Sequence, residues 1–184
     1  MNFNEKYSRT HHKRFEKSLN FLLKHEPPPK RILDLGSINP LSHLMQQEGY
    51  DVLNTPAGID LDLNCEILQN YDYDLFTAFE IFEHLVNPFS ILKAIKSEKM
   101  ILSVPLKLWF AKSYWSDTNP YDRHYHEFEP RQLEMLLRKA DWKILQQEKW
   151  VSVSNKIGIR PLLRRLTFRH MIVYCEKMRN GSTK

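Results

Sequence analysis

Two short motifs bring side chains that could move protons close together in the sequence. In Glu80-Ile-Phe-Glu83-His84, two carboxylates three residues apart would share one face of a helical turn, as a paired acid and base require. The same carboxylates could instead cap the turn that follows. His84 is open to the same two interpretations, as a contact for the substrate or as a stabiliser of the turn beneath it.

The second motif, His124-Tyr-His126-Glu127-Phe128, follows a long loop. On an extended segment both histidine rings project to one face, so either could be the base that takes a proton from a substrate. With Glu127 the pair also resembles a metal site, but a third convergent ligand is not evident, and we predict that no metal is bound. The remaining interpretation is a structural hinge before the next helix.

Asp34 and Gly36 lie at the end of a short apolar run, Ile32–Leu35, that is typical of a strand buried on both faces. A helix is predicted to begin almost at once, because Asn39 can cap its free N–H groups and Pro40 suits its first position. Open α/β sheets bind ligands outside the carboxyl ends of their strands. The sequence therefore predicts a binding site at Asp34 and Gly36.

The periodicity of the chain predicts alternating helices and strands. A helix over 3–25 ends at three consecutive prolines, and further helices begin at Asn87-Pro88 and Pro130. Apolar runs bounded by turn residues predict strands at Ile32–Leu35, 51–55, 59–63, 74–79, 100–104, 143–150 and 170–176.

This alternation is typical of one α/β domain over 1–184, with a parallel-rich sheet covered by helices on both faces. Its 184 residues, 42% of them apolar, suffice for one hydrophobic core. The first helix, within 1–26, could act as a lid that brings Tyr7 and Arg14 to a pocket.

Composition places the protein in the cytoplasm as an expectation. No apolar run approaches the length of a membrane span, and the N-terminus lacks the apolar core of a signal peptide. The two cysteines, Cys65 and Cys175, fit no metal-ligand spacing and are expected to be reduced thiols without a role in the function.

The net charge of +5, from 27 basic and 22 acidic residues, is a mild excess that does not favour nucleic acid as a partner. Much of it lies in a C-terminal segment, which we interpret as a solvated basic face. Apolar residues of this segment could lie on an anionic membrane or cover the sheet edge, and we favour the sheet edge. The basic residues are Arg160, Arg164, Arg165 and Arg169, and the apolar ones are Ile157, Ile159, Leu162, Leu163, Leu166 and Phe168.

In chain order, the segments Ile32–Gly36, Tyr73–Leu85, Ile101–Pro105 and His124–Phe128 resemble class I S-adenosylmethionine-dependent methyltransferases, above all the small type-11 and type-23 members. The resemblance covers about residues 30–150 and the final strand. The first motif alone has little specificity. The Glu-x-x-Glu-His-Leu turn, the strand ending in proline and the His-x-x-Glu-Phe element are fairly specific in combination.

The resemblance implies a Rossmann-like three-layer sandwich with a seven-stranded, mostly parallel sheet in the order 3-2-1-4-5-7-6. S-adenosylmethionine would lie across the ends of strands one, two and four. Gly36 would let the backbone approach the methionine part of the cofactor, and Asp34 would receive its ammonium group. The expected cofactor-binding residues are Asp34, Gly36, Ser37, Thr55, Asp60, Phe79, Glu80 and Ile81.

Two positions depart from the family pattern. The loop from Gly36 to Pro40 contains one glycine where two or three are usual. The acidic residue expected at the end of strand two, which would bind the ribose hydroxyls, falls at Asn54 or Thr55, so that Asp60 or Asp62 would have to replace it.

The implied function is methyl transfer to a small or carrier-linked acceptor, on oxygen or nitrogen, with His124 or His126 as the base. The alternative is a non-catalytic member that uses its basic C-terminal segment on RNA or an anionic membrane. A monomer or a homodimer is expected. The many rings in residues 106–128 indicate an apolar wall for the substrate, and the predicted substrate contacts are Tyr7, His84, Trp115 and Tyr121.

Overall fold

The computed structural model describes residues 9–119, 121–152 and 158–178. The helices are α1 (Arg9–His25), α2 (Pro40–Gln47), α3 (Pro88–Ala94), α4 (Pro130–Lys139) and α5 (Ile159–Leu166), with 3₁₀ turns at Cys65–Asn70 and Phe82–His84. The strands are β1 (Arg31–Asp34), β2 (Asp51–Asn54), β3 (Leu75–Phe79), β4 (Lys99–Pro105), β5 (Trp142–Val151) and β6 (Phe168–Lys177).

These six strands form one sheet in the order β2-β1-β3-β4-β6-β5. Strands β1 to β4 pair in parallel, whereas β6 runs antiparallel to both of its neighbours. The carboxyl ends of β1 to β4 therefore meet at one edge of the sheet, which we call the rim. The order confirms the Rossmann-like prediction, apart from one missing edge strand.

The strand predicted at 59–63 is wrong, because this segment forms a turn in the described structure. The Asp60 side chain accepts hydrogen bonds from the backbone N–H groups of Asp62 and Leu63, at 3.0 and 3.4 Å. A short acidic side chain that binds its own local backbone in this way competes with pairing in a sheet.

Both faces of the sheet are buried because neighbouring residues of each central strand project to opposite sides. Ile32 and Ile101 pack with α1 and α2 on one face, while Leu33 and Leu102 pack with α3 and α4 on the other. The three-layer prediction is thus confirmed, and α1 supplies one of the outer layers through Phe15, Leu19, Phe21 and Leu22.

Four apolar side chains of the C-terminal segment do not cover the sheet edge, so the favoured interpretation is wrong for them, whereas Leu163 is half-buried. The exposed fractions are 79% for Ile159, 57% for Leu162, 77% for Leu166 and 53% for Phe168. Thr167 alone separates α5 from β6, so the pairing of β6 fixes how the short helix lies. Ile157 lies outside the described residues. No helix in the described ranges has the length and apolar character needed to cross a membrane.

Buried Glu26 anchors the end of α1 to the sheet. Its carboxylate accepts a hydrogen bond from the Tyr174 hydroxyl and pairs with Lys99 at 2.8 Å and Lys30 at 3.0 Å. Burial alone raises the pKa of Glu26, but the hydrogen bonds from Lys99 and Tyr174 outweigh this effect and lower the pKa below its usual value.

Replacing this carboxylate should destabilise the fold in a pH-dependent way. We expect Glu26→Gln to lower the free energy of unfolding by about 1–3 kcal/mol near neutral pH, since it leaves buried donors without their charged partner. Because the folded-state pKa lies below the unfolded one, the contribution exists above the unfolded-state value and is lost as pH falls through the folded-state value.

Urea unfolding of both proteins across acidic and neutral pH measures this difference. Glu16→Gln, at an exposed position of the same helix, is the matched control and should have little effect. A Glu26→Gln deficit that stayed constant down to acid pH would contradict the role of the ionised carboxylate.

Candidate active site

The loop after β1 meets the turn after β3 at the rim. Gly36 has φ +101°, a conformation that L side chains rarely adopt, and its N–H donates to the Thr55 hydroxyl at 2.8 Å. A Cβ atom at Gly36 would lie 3.1 Å from Cδ1 of Ile81. The glycine is therefore needed here both for its backbone angle and for this close approach.

Asp34 lies beneath this loop with its carboxylate buried. It accepts hydrogen bonds from the Thr77 hydroxyl at 2.9 Å, the Ser42 hydroxyl at 3.1 Å and the Asn54 amide at 3.2 Å. Burial raises the pKa of Asp34 to about 6, and these hydrogen bonds oppose the rise. The carboxylate thus ties β1 to β2, β3 and α2, and a contact with a cofactor stays a prediction.

The end of β2 carries an amide and a hydroxyl that bind the same loop. Besides Asp34, the Asn54 amide reaches the Gly36 carbonyl at 3.2 Å, and Thr55 is buried against the Gly36 N–H. The Asp62 carboxylate accepts hydrogen bonds from the backbone N–H groups of Val86 and Asn87, just before α3. Asp60 also binds local backbone, through Oδ1, but its side chain is exposed, so a contact with the ribose stays a prediction for it.

Glu80 follows β3 directly and has a left-handed backbone, with φ +56°. Its buried carboxylate accepts hydrogen bonds from Arg14 Nη1 at 3.2 Å, His170 Nδ1 at 3.1 Å and the Ser103 hydroxyl at 3.0 Å. Burial alone raises the pKa of Glu80, but the bond from His170 and the charge of Arg14 outweigh it and lower the pKa to about 2.

Two of these partners of Glu80 were not predicted from the sequence. Nothing in the local pattern marks Ser103 or His170, since each lies in an apolar strand that reads as core. Arg14 was expected to line a pocket beneath a lid formed by the first helix. The structure places it at the wall of a cavity, and the lid stays a prediction.

A second cluster of titratable side chains lies close to Glu80 and contains Glu83, His84 and His124. One potential metal-binding atom from each side chain lies within 4.8 Å of the others. Burial and the charge of Glu80 raise the pKa of Glu83 well above its usual value, and Oε2 of Glu83 has no hydrogen-bond partner among the described residues. A proton would neutralise the charge of this carboxyl group. A metal ion would also do so, because carboxylate and imidazole are both zinc ligands. The set differs from the histidine pair considered in the sequence.

The two sequence motifs are joined through their backbones, since the N–H groups of Tyr125 and His126 donate to the Glu83 carbonyl at 2.8 and 3.2 Å. The rings of His124 and His126 have different neighbours. His124 packs edge-on against His84, whereas His126 stacks on Phe128 and its Nε2 bonds the Val86 carbonyl.

His124 is the more enclosed of the two histidines. Burial, followed by the charge of His84, lowers the pKa of His124. Its Nδ1 lies 3.7 Å from Oε1 of Glu127, which in turn pairs with Arg169 at 3.3 Å. The ring is therefore neutral near neutral pH and has a carboxylate close enough to stabilise its charged form.

The predicted substrate contacts separate into two groups. His84 joins the cluster, with Nδ1 3.1 Å from the Arg123 carbonyl. Trp115 and Tyr121 are 51% and 68% exposed on the surface of the 106–128 loop, where the Arg123 guanidinium lies over the Trp115 ring. Tyr7 lies outside the described residues.

A cavity of about 190 Å³ lies beside Glu80, since two of its lining residues, Arg14 and His170, bond the Glu80 carboxylate. It is lined by side chains from α1, the end of β5, α5 and the start of β6, which are His11, Arg14, Ser152, Arg164, Arg169 and His170. Sequence reasoning interpreted the C-terminal arginines as a solvated face, but two of them line this cavity together with Arg14.

Comparisons with known proteins agree with this fold. The sequence model of a family described as a methyltransferase domain matches residues 7–147. No curated protein matches the chain in sequence. Solved structures of low sequence identity share the fold, among them S-adenosylmethionine-dependent methyltransferases from Archaeoglobus fulgidus and Methanosarcina mazei.

The Archaeoglobus protein has a TM-score of 0.62 and 16% identity, covering 95% of this chain and 98% of that one. The Methanosarcina protein has a TM-score of 0.61 and 12% identity, covering 86% and 97%. Phosphoethanolamine N-methyltransferase 2 of Haemonchus contortus, solved in complex with S-adenosylmethionine, has a TM-score of 0.54 and 12% identity, covering 89% of this chain and 53% of that one.

The geometry at Gly36 predicts a specific loss of binding. We expect Gly36→Ala to weaken the binding of S-adenosylhomocysteine about tenfold or more, because the new Cβ strains the loop and pushes Ile81 at the rim. The strained backbone should also cost about 1–3 kcal/mol of stability.

Gly49→Ala is the matched control. Gly49 has φ +98° at the opposite edge of the sheet, and its Cβ would meet Pro28 at an ordinary 3.8 Å. Denaturant unfolding should show strain in both variants, while calorimetry should show weaker binding in Gly36→Ala alone. Equal affinity in the two variants would refute this placement of the cofactor.

Proposed function

The chain belongs to the methyltransferase domain family, and from this premise we propose that it transfers a methyl group from S-adenosylmethionine to a small or carrier-linked acceptor. The observation that carries the proposal is the meeting of Gly36 and Ile81 beside Glu80, at the carboxyl ends of β1 and β3. Ligands of open α/β sheets bind at this position. The strained backbone of Glu80 supports it, since such conformations cluster at active sites.

The cofactor would lie along the rim on backbone rather than in a phosphate cradle. S-adenosylmethionine carries no phosphate, so one glycine at the closest approach is enough. Gly36, Ser37, Phe79 and Ile81 would form its walls, and Asp60 would accept hydrogen bonds from its ribose near Thr55. When bound, it supplies a methyl group activated on a positively charged sulfur.

Asp34 and Glu80 would hold the loops that contact the cofactor. The Asp34 carboxylate already accepts three hydrogen bonds, which supports a role in holding the loop more than direct contact with the cofactor ammonium. Glu80 likewise orients the turn after β3 through Arg14, Ser103 and His170.

Methyl transfer is an in-line displacement, so positioning of the acceptor supplies much of the rate. For a hydroxyl acceptor we assign the base to His124, which would take the proton as the oxygen attacks the methyl group. Its lowered pKa keeps it neutral, and Glu127 would stabilise the imidazolium that forms. His126 is the second choice, because its Nε2 already bonds a backbone carbonyl.

The second candidate is a non-catalytic member that binds RNA or an anionic membrane through its C-terminal segment. The exposed apolar residues of α5 beside Arg164 and Arg165 favour it. This function needs no cofactor, so binding of S-adenosylhomocysteine separates the two candidates.

Calorimetry of the purified protein should show saturable binding of S-adenosylhomocysteine. We expect Asp60→Asn to weaken it about tenfold, because the variant loses a charge-assisted hydrogen bond to the ribose. Glu66→Gln, at an exposed carboxylate in the 3₁₀ turn that follows, should leave the affinity unchanged. Absence of binding at millimolar concentration would exclude the enzyme proposal.

The titration of His124 tests its assignment as the base. Its imidazole should titrate by NMR below the ordinary histidine value, with the signal identified by its loss in His124→Gln. With a hydroxyl acceptor, His124→Gln should slow transfer about 10²-fold or more, while His43→Gln on α2 should not. A titration midpoint at or above the ordinary value would count against His124.

A further inference from the structure

The cavity beside Glu80 has a cationic lining, because three of its lining residues are arginines. We propose that it binds the phosphate group of a phosphorylated methyl acceptor, an inference that rests on the proposed function. Three arginines, two histidines and one serine line it, and no carboxylate is among these lining residues. These residues come from α1, the end of β5, α5 and the start of β6. The basic side chains are therefore brought together by folding and do not form one charged run in the sequence.

Three of the basic side chains that line the cavity are held in place by hydrogen bonds. Arg14 and His170 share Oε2 of Glu80, and Arg169 is bound by Glu127 and by the Leu106 carbonyl at 2.6 Å. A guanidinium has five N–H donors in a rigid fork, so each arginine keeps donors beyond those it uses here. Their geometry is therefore set before a ligand arrives, which lowers the cost of binding.

Arg164 differs from the other two arginines of the cavity in its ion pairing. It forms no ion pair within the ranges that the structure describes, and it reaches the cavity from α5. Glu80 and Glu127 offset part of the charge of Arg14 and Arg169, whereas no carboxylate of the described residues pairs with Arg164. A bound dianion would neutralise it.

Phosphate suits this lining better than a carboxylate does. Guanidinium groups from three separate elements, together with imidazole and hydroxyl donors, can surround a tetrahedral group that offers three or more acceptor oxygens. A carboxylate has two oxygens in one plane and would leave several of these donors without a partner.

The size and position of the cavity favour one group of a larger acceptor. Its volume of about 190 Å³ is below the roughly 300 Å³ at which pockets hold whole ligands. Arg14 and His170 touch Glu80, whose neighbours Phe79 and Ile81 line the proposed cofactor rim. A phosphate held here would leave the rest of the acceptor to extend toward the methyl group.

Inorganic phosphate is the probe for the test. Calorimetry and NMR of the full chain, at constant ionic strength with chloride as the reference anion, should show saturable phosphate binding in the millimolar range. Arg164→Gln should weaken it about tenfold, because it removes a charge-assisted contact. Arg165→Gln makes the same charge change at the next, exposed residue and should change the affinity less than about twofold.

Equal weakening by the two variants would overturn the site, since it would mean a general effect of charge. Binding that does not saturate would do the same. Circular dichroism of both variants checks that they are folded.

The same samples are titrated with S-adenosylhomocysteine. Its affinity should be unchanged in Arg164→Gln, because this residue lies outside the proposed cofactor rim. Cofactor binding without phosphate binding would overturn this inference and leave the proposed function intact. Phosphate binding without cofactor binding would overturn the proposed function and, with it, the assignment of the site to an acceptor.

Discussion

A single buried carboxylate, that of Glu80, joins both ends of the chain to the middle of the sheet. It accepts hydrogen bonds from Arg14 of α1, Ser103 of β4 and His170 of β6. Removing one partner of such a buried pair typically costs about 3–5 kcal/mol, because the remaining charge is left uncompensated. The left-handed backbone at Glu80 is sustained by this network, and it directs the turn after β3 across the rim.

The same turn organises the proposed catalytic side. It leads from Ile81, which packs at Gly36, to Glu83, whose carbonyl receives two N–H groups from the segment around His126. The long aromatic loop is thereby held to the site at its far end, although many of its rings face solvent. The two groups of residues near Glu80 differ in charge, since the cavity is lined by arginines and the cluster around Glu83 holds a buried carboxyl group with a raised pKa.

The loop after β1 reaches a stable form without the usual glycines or the acidic residue after β2. Asp34 below it gathers donors from Ser42, Asn54 and Thr77, and Thr55 accepts the Gly36 N–H. An amide and a hydroxyl at the end of β2 can therefore position the loop, whereas a carboxylate there would lie close to Asp34 and repel it. This arrangement explains why Asn54 and Thr55 fit the fold.

The sequence by itself determined the class of fold and the place of the rim, because apolar periodicity and turn residues act locally, whereas the order of the strands came from the resemblance to class I methyltransferases. Local reasoning failed at 59–63, where Asp60 binds its own backbone, and at α5, where Ile159, Leu162 and Leu166 are exposed. Only the tertiary structure brought His170 to Glu80, 90 residues away, and gathered Arg14, Arg164 and Arg169 around one cavity. Such contacts depend on how distant elements pack, and no spacing along the chain records them.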